Sequence, residues 1–317
     1  MILNFNQQRS HRNKASISNF LCENNRPRRL LLQQLDSKMI NEYLRAQHIG
    51  DLLPVQYFSS SIEKCVDFSI AYLSDIHYAK FLVDKTLTVI TTKEISGLVP
   101  DSCTVIIVEG EPRGEWARSI NKFQKLRETF PTFQSRSSLV EKSADVGSEV
   151  YLADNVYVSA HSVLRGPLYV GPNTFIGPGS VIGGDGFESV MSRNERIIVS
   201  HLGGTWIMNE VVIQSKCTVD KALDGSFTFI DGGVMMDNQV HIGHAVSIGR
   251  YTTLAACAEV SGSVLIGENV RIQPNASISN GIVLGDSCQI GIGAVALRDV
   301  SPFEVIVGHH RSLGTRT

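Results

Sequence analysis

The segment Asp237-Asn238-Gln239-Val240-His241-Ile242-Gly243-His244 gathers residue types that move protons and bind polar substrates at neutral pH. Histidine is the side chain whose ordinary pKa lies near neutrality, so His244, or its neighbour His241, is a candidate general base. A reaction that passes through an oxyanion also needs a preorganised N–H, and a glycine backbone offers one without obstruction. Gly262 follows His244 by 18 residues. Asp237 stands seven residues before His244, where it orients the imidazole or serves as a turn aspartate. The pair His241-x-x-His244 has no evident third ligand, so no metal site is expected.

The spacing of 18 acquires meaning from the element that carries it. Every sixth residue from Val146 to Ile182 is aliphatic, and the pattern resumes at Ile230 and runs through Met236, Ile242, Ile248 and onward to Ile290. A period of six is neither the helical 3.6 nor the plain strand alternation of 2, and it marks a hexapeptide β-helix. In such a helix three hexads close a triangular coil, so Gly262 should stack directly beside His244. The aliphatics form ladders, each buried side chain contributing about 1.5–3 kcal/mol before the entropy of ordering. Glycines that follow them, such as Gly171, Gly177, Gly183, Gly243 and Gly249, are expected to supply corner dihedrals that other residues avoid.

The repeat is broken at Glu188–Trp206 and again around Ala222–Ser226. Loops thrown out of a regular solenoid are common places for sites. The first carries Arg193, Arg196 and His201, candidates for gripping a diphosphate or acyl-bearing substrate, or simply a solvated charged loop. Ahead of the repeat, residues 30–138 form a small α/β domain: a helix over Leu30–Leu44, strands over Leu87–Thr91 and Thr104–Val108, and a helix over Glu115–Phe130. Gln134–Ser138 reads as a linker, 139–300 as the β-helix and 301–317 as a short tail. Residues 1–29 are a basic extension with Glu23 as its one acid; the composition is that of a transit peptide, but no amphipathic helix accompanies it.

A formal net charge of -2 gives no electrostatic footprint for nucleic acid, and no apolar run is long enough to span a membrane. The six cysteines include no Cys-x-x-Cys pair, and Cys217 and Cys288 fall on small inward positions of their hexads. Buried free thiols in a reducing, cytoplasmic compartment are the expectation.

The ordered motifs Gly184-Asp185-Gly186-Phe187, His201-Leu202-Gly203-Gly204 and Asp237 to His244 resemble, among the left-handed β-helix acyltransferases, the UDP-3-O-acylglucosamine N-acyltransferases of lipid A synthesis. That resemblance implies a mainly β fold, a left-handed parallel β-helix preceded by the small α/β domain. It implies His244 as general base, Gly262 as oxyanion donor, and substrate contacts from Asn238, Gln239, His241, His201 and Asn280. It also implies a homotrimer with sites between neighbouring β-helices and no bound cofactor. The donor would be a phosphopantetheine thioester, on acyl-carrier protein or CoA, and the acceptor a nucleotide-linked amino sugar. The stretch Ile70–Tyr78 is similar to the family's uridine-binding domain, with Tyr72 and Tyr78 at the stacking positions, although core aromatics would read the same way. Asp75 stands where that family has Asn, and an ionised carboxylate only accepts hydrogen bonds.

Two further departures shape the alternatives. Many members carry a histidine after Asn-Gly, where this chain has Asn280-Gly281-Ile282. The familiar enzymes end in helices that dock the carrier protein, whereas the tail here is closer to that of CoA-dependent sugar acetyltransferases. The alternatives are therefore a short-chain, CoA-dependent N-acyltransferase for a surface-glycan amino sugar, and a non-catalytic paralogue that binds a nucleotide sugar.

Overall fold

The structure, a computed structural model, describes residues 17, 19–20, 26–63 and 65–308. The expectations for Cys22, for Glu23 and most of the basic extension, and for the tail beyond 308 lie outside these residues.

From Phe133 to Ile306 the chain winds as a left-handed parallel β-helix whose three faces are parallel sheets of nine, eight and eight short strands. From His241 onward the register steps by one coil of 18 residues: His241 pairs with Glu259, Glu259 with Ser277 and Ser277 with Val295. The aliphatic ladders point inward, and Ile182, Ile230, Ile242, Ile248 and Ile278 are fully buried in one continuous core. Cys217 and Cys288 share that core as free thiols. The helix begins before the expected boundary, because Phe133–Gln134 already pairs with Tyr151–Leu152. What reads as a linker is a corner of the first coil, and the last strand, Val305–Ile306, lies within the expected tail.

The corner glycines act differently from the expectation. Left-handed backbone falls on the third residue after most of the aliphatics, as at Ala245, Tyr251, Cys257, Ser263 and Asn269, where non-glycine residues adopt it. Gly243 and Gly249 are not left-handed; a Cβ there would lie 2.8 Å from the Gly262 nitrogen and 2.5 Å from the Gly267 carbonyl carbon respectively. These glycines let neighbouring coils approach, and Gly183 alone of the five named takes a positive φ, at 83°.

The α/β domain has a five-stranded sheet in the order Gln47–Ile49, Thr104–Ile107, Thr88–Thr91, Ser69–Leu73, Tyr57–Phe58, parallel except for the first strand. Its first helix is shorter than expected, Ser37–Leu44, because Asp36 caps it by accepting from the Met39 N–H. Leu30–Leu35 is instead non-helical, with Leu32 bridging Arg127 and a bend at Gln33 and Gln34. The second expected helix begins earlier and ends earlier, at Pro112–Phe123, with Pro at its first turn.

The break at Glu188–Trp206 holds a β-hairpin, Ser189–Ser192 against Glu195–Ile198, that packs on the helix Pro112–Phe123. Val190, Val199, Leu202 and Leu223 from the two breaks join Trp116, Ile120 and Ile106 in one buried cluster. The insertions thus belong to the core of the α/β domain and bind it to the β-helix. Arg26 from the extension lies over the Phe229 ring, 4.4 Å from its centroid, and donates to the Ser247 hydroxyl at 3.0 Å. No helix among the described residues is long and apolar enough to cross a membrane.

Candidate active site

His244 follows Ile242 by two residues, at the corner where the chain leaves one face of the β-helix and turns toward the strand Ser247–Ile248. One coil on, Gly262 occupies the same corner. A Cβ built on Gly262 would lie 2.4 Å from His244 Nε2, so the imidazole rests directly against the glycine backbone. Neighbouring Ser261 and Ser263 donate their N–H groups to Ile278 and His244 carbonyls, while among the described residues the Gly262 N–H has no backbone acceptor. One further coil on, Asn280 Nδ2 donates to the Gly262 carbonyl at 2.8 Å and the Gly281 N–H does so at 3.0 Å, fixing the Gly262–Ser263 peptide. Ile282, at the position of the family's second histidine, is buried in the core and presents nothing to the site.

A cleft of about 560 Å³ runs from this corner to the α/β domain. His244, Ser263, Leu265, Asn280 and Gly281 line one end, Leu223, Asp224 and Glu188 from the insertions line its side, and Tyr72, Arg113, Trp116, Ser60 and Ser61 line the other end. A second cavity of about 310 Å³ shares Ser60, Ser61, Glu63 and Tyr72 and continues to Ser74, Asp75 and Tyr78. Tyr72 and Tyr78 therefore open onto one recess. Tyr72 leans on Trp116, ring centroids 5.5 Å apart, and burial pushes its phenol above the ordinary range. Asp75 caps the short helix Ile76–Leu82, accepting from the His77 N–H at 2.9 Å and pairing with its ring at 2.8 Å. Those bonds hold its carboxyl below the usual range, so it stands in the recess as an acceptor.

Other expected site residues fall elsewhere. Asp237, Asn238 and Gln239 are exposed at a different corner, where Asp237 accepts from the Asn238 N–H and side chain at 2.7 and 2.8 Å. A whole face of the β-helix separates Asp237 from His244, and it is a turn aspartate. Asn238 accepts from the Ser215 N–H in the preceding coil. Arg193 pairs with buried Glu115 at 2.9 Å and Arg196 donates to Ser189 of its own hairpin, so neither reaches the cleft. His241 contacts Thr218 Oγ1 at 2.7 Å and lies 3.9 Å from Asp220.

Asp220 is the carboxylate that the sequence reading missed. Burial lifts its carboxyl above the usual range, against the pull of His241 and His244. A Cβ added at Gly186 would meet His201 Nε2 at 2.9 Å, Asp220 Oδ2 at 3.3 Å and His244 Cβ at 3.4 Å, so these three groups converge on one glycine. Counting back 18 residues from His241 misses Thr218 and Asp220 because the five extra residues of the Ala222–Ser226 break intervene. Arg113, which donates to Glu188 at 2.5 Å across the cleft, carried no signal in its local sequence.

No family model matches the chain. Among curated proteins, a UDP-3-O-acylglucosamine N-acyltransferase from Bordetella pertussis is 24% identical over 86% of this chain and 85% of its own length. One from Helicobacter pylori is 27% identical over 67% and 70%. Another, from Hahella chejuensis, is 37% identical over 38% of this chain, a match that spans 34% of that relative's length. The chain is related to the UDP-3-O-acylglucosamine N-acyltransferases. Solved structures with distant likeness include a UDP-N-acetylglucosamine acyltransferase from Bacteroides fragilis, 19% identical with TM-score 0.41 over 55% of this chain and 70% of that one. The perosamine N-acetyltransferase of Caulobacter crescentus is 14% identical with TM-score 0.24 over 76% and 97%. For a relative of UDP-3-O-acylglucosamine N-acyltransferases, the relevant feature is that one cleft connects an aromatic recess to a histidine seated on a glycine peptide.

Proposed function

We propose that this chain is an N-acyltransferase that moves an acyl group from a phosphopantetheine thioester to the amine of a UDP-3-O-acylglucosamine-like acceptor, as in lipid A synthesis. The observation that carries the reading is the cleft itself, with Tyr72 at one end and His244 on Gly262 at the other. A nucleotide base stacked at Tyr72 and Tyr78 places its sugar toward the β-helix corner.

The chemistry then follows from the geometry. The acceptor nitrogen attacks the thioester carbonyl, and His244 Nε2 takes the proton that nitrogen sheds as the C–N bond forms. Negative charge gathers on the carbonyl oxygen, and the Gly262 N–H, uncommitted to the coil, donates to it. Collapse breaks the C–S bond, and the leaving thiolate receives the proton from His244. Asn280 holds the Gly262 carbonyl, on the peptide that follows the donor N–H. Leu265 and Val283 are exposed on the face beside His244, where a second copy of the chain would close the cleft, which supports a homotrimer with sites between subunits.

The test is mass spectrometry after incubating the full chain with UDP-3-O-acylglucosamine and thioesters of several lengths on carrier protein and on CoA. The expected product is the N-acylated sugar nucleotide, absent with His244→Ala of native fold. Reaction with short CoA donors alone would move the assignment to a surface-glycan acyltransferase. Absence of product with every donor and amino sugar would leave a binding paralogue.

A further inference from the structure

His201 is buried to 94%, its relative exposure being 6%, on the chain segment that follows the hairpin. Its Nδ1 lies 3.2 Å from the Val199 carbonyl oxygen. A carbonyl only accepts, so Nδ1 carries the hydrogen, and in the neutral ring Nε2 is left as an acceptor. That Nε2 is buried and, among the described residues, has no hydrogen-bond partner. Leaving such an acceptor unpaired is unfavourable, a cost that a purely packing role would avoid with an apolar residue.

The orphan nitrogen lies next to the candidate base. The His201 and His244 rings are 5.9 Å apart between centroids and inclined at 74°, with Gly186 filling the angle between them. His244 has its Nε2 end on Gly262 and its Cβ end against Gly186, so its Nδ1, bonded to Cγ, lies in the half of the ring nearer Gly186, the glycine that His201 Nε2 also approaches. A hydrogen bond between the two rings requires one bridging water or a rotation of either ring. We propose that His201 is a positioning residue for His244: its Nε2 accepts the His244 Nδ1–H, directly or through one water, and keeps the His244 Nε2 lone pair over Gly262.

The surroundings suit that task. Burial, with help from His244 and Lys221, holds the His201 pKa below the ordinary value against the opposing Asp185, so the ring stays neutral and able to accept. Asp220, lifted by its own burial and by Asp185, faces His241 and His244 from the strand Thr218–Asp220. The backbone is pinned as well, with the Leu202 N–H donating to Leu223 and the Gly203 N–H to Ala222, while Val199 and Leu202 are anchored in the α/β core. The wall of the cleft and the orientation of the base are thereby parts of one packed unit.

This inference rests on His244 being the base, and the experiment separates the two. The full chain is made with 15N-labelled histidine as wild type, His201→Phe, which keeps the ring volume without the acceptor, and His201→Gln, which restores one. The expected result is a neutral His244 protonated at Nδ1 in the wild type, and in His201→Phe a mixture of tautomers. In turnover, His201→Phe should lose about 10- to 100-fold in kcat with the acceptor KM changed by less than about twofold, and His201→Gln should recover most of the loss at an unchanged melting temperature. Wild-type His244 protonated at Nε2, or unchanged kcat and tautomer in His201→Phe, would overturn the proposal; so would a loss confined to KM. If His201→Phe fails to fold, the wild-type tautomer and His201→Gln still decide it. Absence of turnover in every protein would count against the proposed reaction, while the tautomer measurement would judge His201 independently.

Discussion

At the scale of single residues, the site depends on how closely two atoms sit. Gly262 is not left-handed, so alanine suits its backbone, and the cost of a Cβ there falls on the His244 ring. Gly262→Ala should therefore melt within about 1 kcal/mol of the parent yet lose at least about 100-fold in kcat/KM, the scale of a displaced base or a lost oxyanion donor. Steady-state kinetics beside a thermal melt checks it; a variant with full activity would remove Gly262 from the reaction. His201 gives a pH prediction whose sign follows from its depressed pKa. Below about pH 6.5 the unfolded chain takes up a proton that the folded one refuses, so stability present above that value is lost as pH falls toward the folded pKa. The melting temperature should decline more steeply over that window in the wild type than in His201→Gln, where the group is absent.

At the scale of elements, the hairpin and the helix Pro112–Phe123 are the joint that matters. Gly114 faces Ser192 so closely that a Cβ would lie 2.2 Å from the hydroxyl oxygen. Gly114→Val should force the hairpin off the helix, costing about 1–3 kcal/mol by overpacking. Because the same hairpin leads into Val199 and His201, kcat should fall with stability, although no atom of Gly114 touches the cleft. Denaturant midpoints and turnover measured together test this; a stability loss without any change in kcat would mean that the hairpin does not transmit its position to the site.

At the scale of the whole molecule, the β-helix is a stack in which each coil touches only its neighbours, so a lesion costs according to its place. Ile242 is fully buried mid-stack and Ile306 is partly buried in the last strand. Ile242→Ala should cost about 2–5 kcal/mol, and Ile306→Ala clearly less, because the end of the stack can relax toward solvent. Urea denaturation of the two variants compares them directly, and equal costs would argue against a stack of near-independent coils.

The six-residue period by itself determined the β-helix, its inward ladders and the pairing of His244 with Gly262, since a repeat fixes which residues stack without knowledge of anything else. Tertiary structure alone decided what surrounds that pair. Asp237 looked close to His244 along the chain, but a coil turns a corner every six residues and carried it to another face. Asp220 looked remote, and the five-residue excursion before His241 returned the chain to the same face with Asp220 beside both histidines. Arg113 and Trp116 reach the cleft from a helix far away in sequence, brought there because the hairpin and that helix bury their apolar surfaces against each other. Periodicity reports contacts at fixed separations, whereas insertions and domain packing create contacts at separations that no local pattern encodes.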